Sequence, residues 1–479
     1  MMNSMIKENT LTFKEIEQKI FGFCCALARS LAKMFLEAYD KRLMKERDKK
    51  AYRHKGYRKT SVKTVFGEVT YKRAVYEYTD DSGTTHFVYL LDEMLGLKSI
   101  GLISENYAEQ LVNGITTKSY RDCAKEVTTT TGQCISPMGV WNVIQALGES
   151  VSEEEKQLVK QNKKKKLKGM RKATVLFEEA DGVNLKLQGK DRAATKTGLA
   201  EMKVAIAYDG WEKVGEGRYH LDGKVVFAGF AKSKDFHKIR EAKIAAEYDL
   251  DETELRILNG DGASWIKKVQ DKSTVFQLDP FHRNKAIREN ILNTKARKDI
   301  TELLREGKTD EMFRYLELYH NSLSDEEEIE KVETLIQYFR DNEEGLLPYQ
   351  EREAMPESPE GVEYRNLGTM ENHIWSIVAK RMKHNHTTWS KAGANNLAKL
   401  LAKKCEGKLY EVTAKLKVPR FEEELSEELL GEILTPAQVK EQIGSGYEYP
   451  VKGSLTWLYR NLIGDVKVLF EYAGAWSTV

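Results

Sequence analysis

Residues 174–188 read TVLFEEADGVNLKLQ. Val175, Phe177, Glu179 and Asp181 fall on one face by the period-two alternation of a β-strand, so a mostly apolar strand carries carboxylates. Asp181 is expected to close that strand. Working outward, EMKVAIAYDGWEKV (201–214) and GKVVFAGFA (223–231) read as two more strands, and FHKIREAKIAAEYD (236–249) as a helix. Then come a strand (ELRILNGDG, 254–262), a helix (SWIKKVQD, 264–271), a strand (STVFQLDPFH, 273–282) and a helix (NKAIRENIL, 284–292). The order β-β-β-α-β-α-β-α predicts an α/β domain: a mixed sheet with helices on both faces.

That order is expected of a ribonuclease-H-like domain, placed here at 170–400. It is interrupted at about 293–361 by highly charged helical sequence, including TELLREGKTDEMFRYLELYH (301–320) and EEIEKVETLIQYFRDN (327–342). Two helices follow, NLGTMENHIWSIVAKRMKH (366–384), with Thr369 as its expected cap, and KAGANNLAKLLAKKCEG (391–407). Residues 401–479 form a C-terminal extension, partly charged and helical, without a functional reading.

Ahead of this domain a mainly helical N-terminal region is expected. Residues 1–50 hold a long amphipathic helix, with Phe13, Ile16, Ile20, Phe23, Leu27, Leu31, Met34 and Ala38 as one apolar stripe. Residues 51–100 hold a basic β-hairpin around Gly67, with Val62, Thr64 and Phe66 alternating on one arm and Val69, Tyr71, Arg73 and Val75 on the other. Residues 101–160 read as helix, polar break (TTTTGQC) and helix, the second helix capped by Ser136 ahead of Pro137. This is the order of a DNA-binding helix-turn-helix or of two ordinary packed helices; in the first case Trp141 and Asn142 would read base edges.

Lys plus Arg (76) and Asp plus Glu (74) nearly cancel, so the net charge of +2 identifies no partner. The distribution does more: Lys41 to Arg73 carries thirteen basic residues against three acids, and Lys163 to Lys172 carries seven and none. Lys49, Lys50, Arg53, Lys55 and Arg58 are therefore candidate phosphate contacts, and KKKKLKGMRK a linker or phosphate-contacting strap. Five cysteines without a CxxC pair suggest neither a disulfide framework nor a zinc knuckle. With no signal-peptide pattern and no long apolar run, a cytoplasmic, nucleoid-associated protein without a membrane partner is expected.

Metal-assisted phosphoryl transfer calls for converging carboxylates, because magnesium and manganese prefer oxygen ligands. Asp181 is one candidate and Asp261 another, set between Gly260 and Gly262 at the end of the fourth strand. In the predicted order the first and fourth strands are neighbours, so the two acids meet at one sheet edge. Glu371 opens a helix with Ile374, Trp375 and Val378 at i+3, i+4 and i+7, which predicts that its face turns toward the protein. Glu178, Glu179 and Glu363 compete with it as a third ligand.

FEEADGVNLKLQ, ILNGDGASWI, LDPFHRNKAI and NLGTMENHIWSIVAKRMKHNHTTWS together resemble insertion-sequence transposases of the Mutator-like group, most closely the ISLre family. The resemblance implies a DDE triad of Asp181, Asp261 and Glu371 and selects Glu371 over its rivals. It implies a metal-dependent transposase with two Mg2+ (or Mn2+) ions, acting on double-stranded DNA of transposon ends and target by 3′-end cleavage and strand transfer, as a homo-oligomer in the synaptic complex. Asp279 and His282 are similar to the group's C/D-x-x-H signature, here with Asp in place of the commoner Cys, and His282 is a candidate DNA contact. The rival readings are a ribonuclease-H-like nuclease or resolvase and a non-catalytic, transposase-derived DNA-binding protein.

Overall fold

The computed structural model describes residues 12–95, 103–131, 133–267, 273–353, 355–358, 363–384 and 387–414. The chain divides into two units: Met1–Ala108 with Ala124–Ile135 and Leu416–Val479, and Glu109–Cys123 with Ser136–Lys415. The C-terminal extension beyond Ala414 lies outside the described residues.

In the first unit, α1 (Phe13–Glu46) begins with a capping box in which Thr12 and Glu15 satisfy each other's backbone amides. Three strands follow, β1 (Arg53–Thr64), β2 (Gly67–Thr79) and β3 (Thr85–Val88), then α2 (Leu90–Met94). The expected hairpin is the first half of a three-stranded meander in the order β1-β2-β3. Its tight turn is possible because Gly67 sits at φ +112°, a conformation an L side chain rarely adopts. Leu36 and Tyr39 of α1 pack on Val62, Val69 and Tyr71, with Leu91 closing the core. None of the predicted stripe is buried: Phe13, Ile16 and Ile20 are exposed, Phe23, Leu27, Leu31, Met34 and Ala38 are half-buried, and the residues α1 buries are Leu36, Tyr39 and Asp40.

Helices α3 (Glu105–Ile115) and α4 (Tyr120–Thr131) follow. The threonines expected as a polar break belong to α4, where Thr129, Thr130 and Thr131 turn their hydroxyls back to the carbonyls of Lys125, Glu126 and Val127. Helix α5 (Pro137–Lys163) starts where predicted, Ser136 Oγ accepting from the Gly139 amide at 3.0 Å. It is a 27-residue element of the second unit rather than a short recognition helix.

The second unit is built on a mixed sheet: β4 (Val175–Lys186), a helical turn α6 (Gly189–Ala193), β5 (Leu199–Tyr208), a separate ribbon β6 (Gly210–Gly215) and β7 (Arg218–Asp222), and β8 (Val225–Gly229). After α7 (Ser233–Glu247) come β9 (Leu255–Gly260), α8 (Ser264–Lys267), β10 (Thr274–Leu278) and α9 (Pro280–Asn290). The five main strands lie in the order β10-β9-β4-β5-β8; β4, β9 and β10 run parallel, and β5 is antiparallel to both its neighbours. The second predicted strand is thus two elements, because the chain leaves the sheet after Tyr208 and Trp211 belongs to the side ribbon.

The charged interruption is helical as expected: α10 (Thr294–Arg305), α11 (Thr309–Asn321) and α12 (Glu326–Asp341). Leu304, Met312, Leu316, Leu335 and Phe339 join Phe276, Leu278 and Ile266 of the sheet region in one apolar core. After the interruption, α13 (Met370–Ile374) continues through one π-helical turn (Trp375–Ala379) into α14 (Lys380–Met382), followed by α15 (Lys391–Cys405) and α16 (Glu411–Ala414). Helix α15 packs on α5 through a buried Lys399–Glu155 ion pair (2.7 Å) and an Asn396–Gln145 hydrogen bond (2.8 Å).

The lysine run is partly a seam. The Gly169 and Arg171 amides donate to the Tyr248 and Glu247 carbonyls, and a Cβ at Gly169 would collide with the Glu247 main chain. Arg171 is paired with Asp209 and Asp222, both at 2.6 Å, whereas Lys163 to Lys166 remain exposed. Among the described residues no helix is long and apolar enough to cross a membrane.

Candidate functional site

Strands β4 and β9 are paired up to Ala180 and Gly260, and the next residue of each is an acid, Asp181 and Asp261. Asp181 does not close β4: the strand continues to Lys186 beside β5 alone, so Asp181 stands mid-strand where β9 departs. Its side chain is buried, with Oδ1 accepting from the Gly182 amide at 2.6 Å. A Cβ at Gly182 would meet the carboxylate end of Glu201, which would have to swing aside. Asp261 is held in a turn by the Ala263 amide (2.8 Å), and Tyr338 of α12 donates its hydroxyl to the Asp261 carbonyl (2.9 Å). The helical interruption therefore positions one of the acids.

Glu371 lies in the first turn of α13. It is exposed, as is Trp375 (48%), while Met370, His373, Ile374, Ile377 and Val378 face inward. The predicted inward face of Glu371 is thus corrected: the buried stripe is offset from it by about one position. Glu371 makes no hydrogen bond or ion pair with the described residues, so its carboxylate can turn. The three acids nonetheless share a field. Burial pushes the Asp181 carboxyl up to about 6, opposed by His282 and the Gly182 amide and reinforced by the negative charges of Asp261 and Glu371.

Glu179, two residues before Asp181, is fully buried and accepts five hydrogen bonds. They come from Tyr208 (2.8 Å), Asn259 (3.0 Å), the Gly368 and Thr369 amides (both 3.0 Å) and the Thr369 hydroxyl (2.7 Å). Burial raises its pKa against those donors. Thr369 occupies the N-cap position of α13, but its hydroxyl serves Glu179 instead of capping the helix. Glu179 therefore ties the helix that carries Glu371 to the strand that carries Asp181. Its rivalry as a ligand ends there, since its oxygens are committed.

The same Asn259 amide donates to Asp279 at 2.8 Å. Asp279 caps α9 through the His282 amide (3.1 Å) and holds the His282 ring at Nδ1 (3.0 Å), leaving Nε2 4.0 Å from Asp181 Oδ2. Hydrogen bonding to Asp279 raises the His282 pKa against burial, with Asp181 adding to the rise. The Asp-x-x-His pair is thus a bracket that aims an imidazole at Asp181. Of the remaining rivals, Glu178 points to the opposite face into a buried cluster with Arg240 (3.2 Å) and Arg256 (2.7 Å), and Glu363 is an exposed partner of Arg365.

Sequence reasoning missed Glu179, Asn259 and Tyr338 as positioning groups. A signal was present for the first two: polar residues two positions before each aspartate, hence on the same strand faces.

Among the described residues no group of three or more His, Cys, Asp or Glu side chains stands arranged to enclose a metal ion. In kind, the donors fit magnesium or manganese: the carboxylate oxygens of buried Asp181 and half-buried Asp261, like charges that a cation between them would offset. The proposed phosphate contacts lie in the first unit, with Lys49, Lys50, Arg53, Lys55 and Arg58 all exposed and Lys55 paired with Glu77 at 2.8 Å. Trp141 and Asn142 are exposed on the second turn of α5 in the second unit, the indole beside Gly393 of α15.

The chain is similar to a UPF0236 protein of Caldanaerobacter subterraneus subsp. tengcongensis whose name spans eleven loci, at 25% identity over 82% of this chain and 78% of that one. A second from the same organism, spanning four loci, is 25% identical over 83% and 82% of the respective chains. A UPF0236 protein in the vanSb 3′ region of Streptococcus gallolyticus is 24% identical over 83% and 84%. Residues 6–417 match the family described as Uncharacterised protein family (UPF0236), and the chain belongs to that family.

Proposed function

We propose that this protein is a DDE-type DNA transposase with a ribonuclease-H-like catalytic domain, in which Asp181, Asp261 and Glu371 hold two Mg2+ or Mn2+ ions. The observation that carries this reading is the placement of Asp181 and Asp261 one residue beyond the last β4–β9 pair, Ala180 and Gly260, where the two parallel strands part. The strand order, three antiparallel strands extended by two parallel ones at the β4 side, is what that fold requires. Relatives whose names span eleven and four loci of one genome fit a sequence that multiplies within its host.

The ions, when bound, would neutralise charge at phosphorus and favour deprotonation of the attacking water or 3′-hydroxyl. Asp181 and Asp261 would sit on the ions from the sheet, and Glu371, the mobile acid, would complete the set as DNA enters. His282 would steady Asp181 and meet the DNA near the scissile phosphate. The exposed lysines and arginines of β1 and the turn before it would hold duplex phosphates, with synapsis of two ends requiring a homo-oligomer bound to the nucleoid.

The test uses duplexes cut from the DNA on either side of the gene, a supercoiled target plasmid and Mn2+. Release of a 3′-hydroxyl and its joining to the plasmid by the wild type, with neither by Asp181→Asn, is expected. Cutting without joining would make the protein a nuclease, and binding without cutting would make it a DNA-binding regulator.

A further inference from the structure

Beside the Asp279–His282 bracket, a cavity of about 430 Å³ opens between α9 and α10. It is lined by Phe281, Asn284, Ile287, Arg288, Arg297 and Thr301. These residues come from matching helical faces: 281, 284 and 288 recur along α9 at three- and four-residue spacing, and 297 and 301 along α10 at four. None belongs to the three acids or their supports.

The lining has the chemistry of a nucleotide site. Phe281 is 41% exposed, and its ring stands edge-on to His282, with centroids 5.3 Å apart and planes at 89°. One ring thus borders the imidazole aimed at Asp181 and also walls the cavity. Arg288 is exposed and forms no ion pair among the described residues. Arg297 spends its Nε on the Ile291 carbonyl, which leaves the terminal guanidinium nitrogens as donors.

We infer that this cavity takes one unpaired nucleotide of a DNA strand, its base stacked on Phe281 and its phosphates met by Arg288 and Arg297. The inference rests on the reading of the protein as a DNA enzyme and adds the form of its substrate. A duplex keeps its bases stacked inside, so occupancy requires a nucleotide taken out of the helix, which unpairs the strand next to His282. Aromatic stacking with cationic support accepts any base, so the site favours unpaired DNA without selecting sequence.

The experiment measures binding of a fluorescent oligothymidylate and of a perfectly paired duplex to the full chain in EDTA, by anisotropy. Loss of the ring in Phe281→Ala should weaken oligothymidylate binding about tenfold, the scale of one base stack. Arg288→Gln should weaken it and flatten its salt dependence, Phe281→Trp should restore it, and duplex binding should be unchanged throughout. Because Phe281 and Arg288 are surface residues, melting temperatures should match the wild type. Oligothymidylate binding that is absent in the wild type, or equal in Phe281→Ala, overturns the inference. The readout needs no metal and no cleavage: selective loss of oligothymidylate binding in a protein that never cuts DNA would leave the site standing and remove the transposase reading.

Discussion

The meander and the five-stranded sheet face one problem, an edge of unpaired strand amides, and solve it with a helix carboxylate but with opposite electrostatic outcomes. In the meander, β3 pairs only with the end of β2, and α1 supplies Glu37 to the Lys72 amide (3.0 Å) and Asp40 to the Ala74 amide (2.9 Å). In the five-stranded sheet, the edge strand β8 receives Glu406 at the Val226 amide (2.8 Å). Glu406 is also paired with Lys243 (3.0 Å) and Lys403 (3.6 Å), and these cations outweigh burial and hold its carboxyl below the ordinary value. Asp40 has no such neutraliser, because nearby Arg73 is committed to Asp92 at 2.7 Å; burial raises its pKa. The sheet region gives its buried charges partners, and the meander keeps most of its charge on the surface. The difference is one of use: partnered charge holds geometry, and under the proposed function the open charge would supply attraction by number.

The sharpest break in that division would come from the three acids. Asp181→Asn, Asp261→Asn and Glu371→Gln should each lower strand transfer by roughly 10³-fold or more, on the scale of losses when one member of a catalytic unit is removed. DNA affinity in a gel-shift assay should stay near wild type. A triad variant that joined DNA normally would place the chemistry elsewhere.

Next in size is Glu179, the partnered carboxylate beside the site. Glu179→Ala leaves five donors without their acceptor. The expected loss is about 3–5 kcal/mol of stability, as for breaking a buried charged network. It should appear as a lower urea midpoint, together with reduced strand transfer as the start of α13 loosens. A midpoint unchanged from wild type would remove Glu179 as the tie between β4 and α13.

On the open-charge side, neutralising Lys49, Lys50, Arg53 and Arg58 together should flatten the dependence of log affinity on log salt by about 0.9 for each DNA phosphate that these side chains no longer neutralise. Melting temperature should hold, since these side chains are exposed. An unchanged slope would shift the DNA grip toward the exposed Lys163 to Lys166.

The smallest effect tests the opening contrast directly. Glu406 titrates below its ordinary value of 4.5 in the folded protein, so its contribution is present above that pH and is lost as pH falls. Asp40 titrates above its ordinary value of 3.8, so it takes up a proton more readily when folded and its contribution declines as pH rises through that range. Melting curves from pH 3 to 6 should show less acid sensitivity in Glu406→Gln. In Asp40→Asn the decline with rising pH should disappear. Shifts of the same sign would mean that the two edges are not electrostatic opposites.

Much of this was legible in the chain. The alternation of 174–188, the glycine-flanked Asp261 and the Ser136–Pro137 start of α5 each depend on interactions within a few residues, and the structure has them as read. The adjacency of Asp181 and Asp261 followed from strand order, which the β4–β9 register bears out. What went astray depended on distant partners. The exposure of Glu371 is set by what α13 packs against, and the N-terminal stripe of α1 lacked a covering surface among the described residues. Thr369 looked like a cap because its type suits one, yet a carboxylate 190 residues away takes its hydroxyl.

The sequence by itself determined which segments are strands and helices and which acids end up as neighbours at the head of the sheet. Periodicity, turn glycines and capping residues act over one or two turns of chain, and strand order follows from them through the rules of chain connection. Only the tertiary structure decided which carboxylates became ties and which were left open. Glu178, Glu179 and Asp181 are the same kind of group within four residues, but one meets two arginines, one meets five neutral donors, and one meets its own neighbour's amide with an imidazole 4.0 Å away. A carboxylate's role is set by the field and the donors around it, and those arrive from parts of the chain that local sequence does not specify.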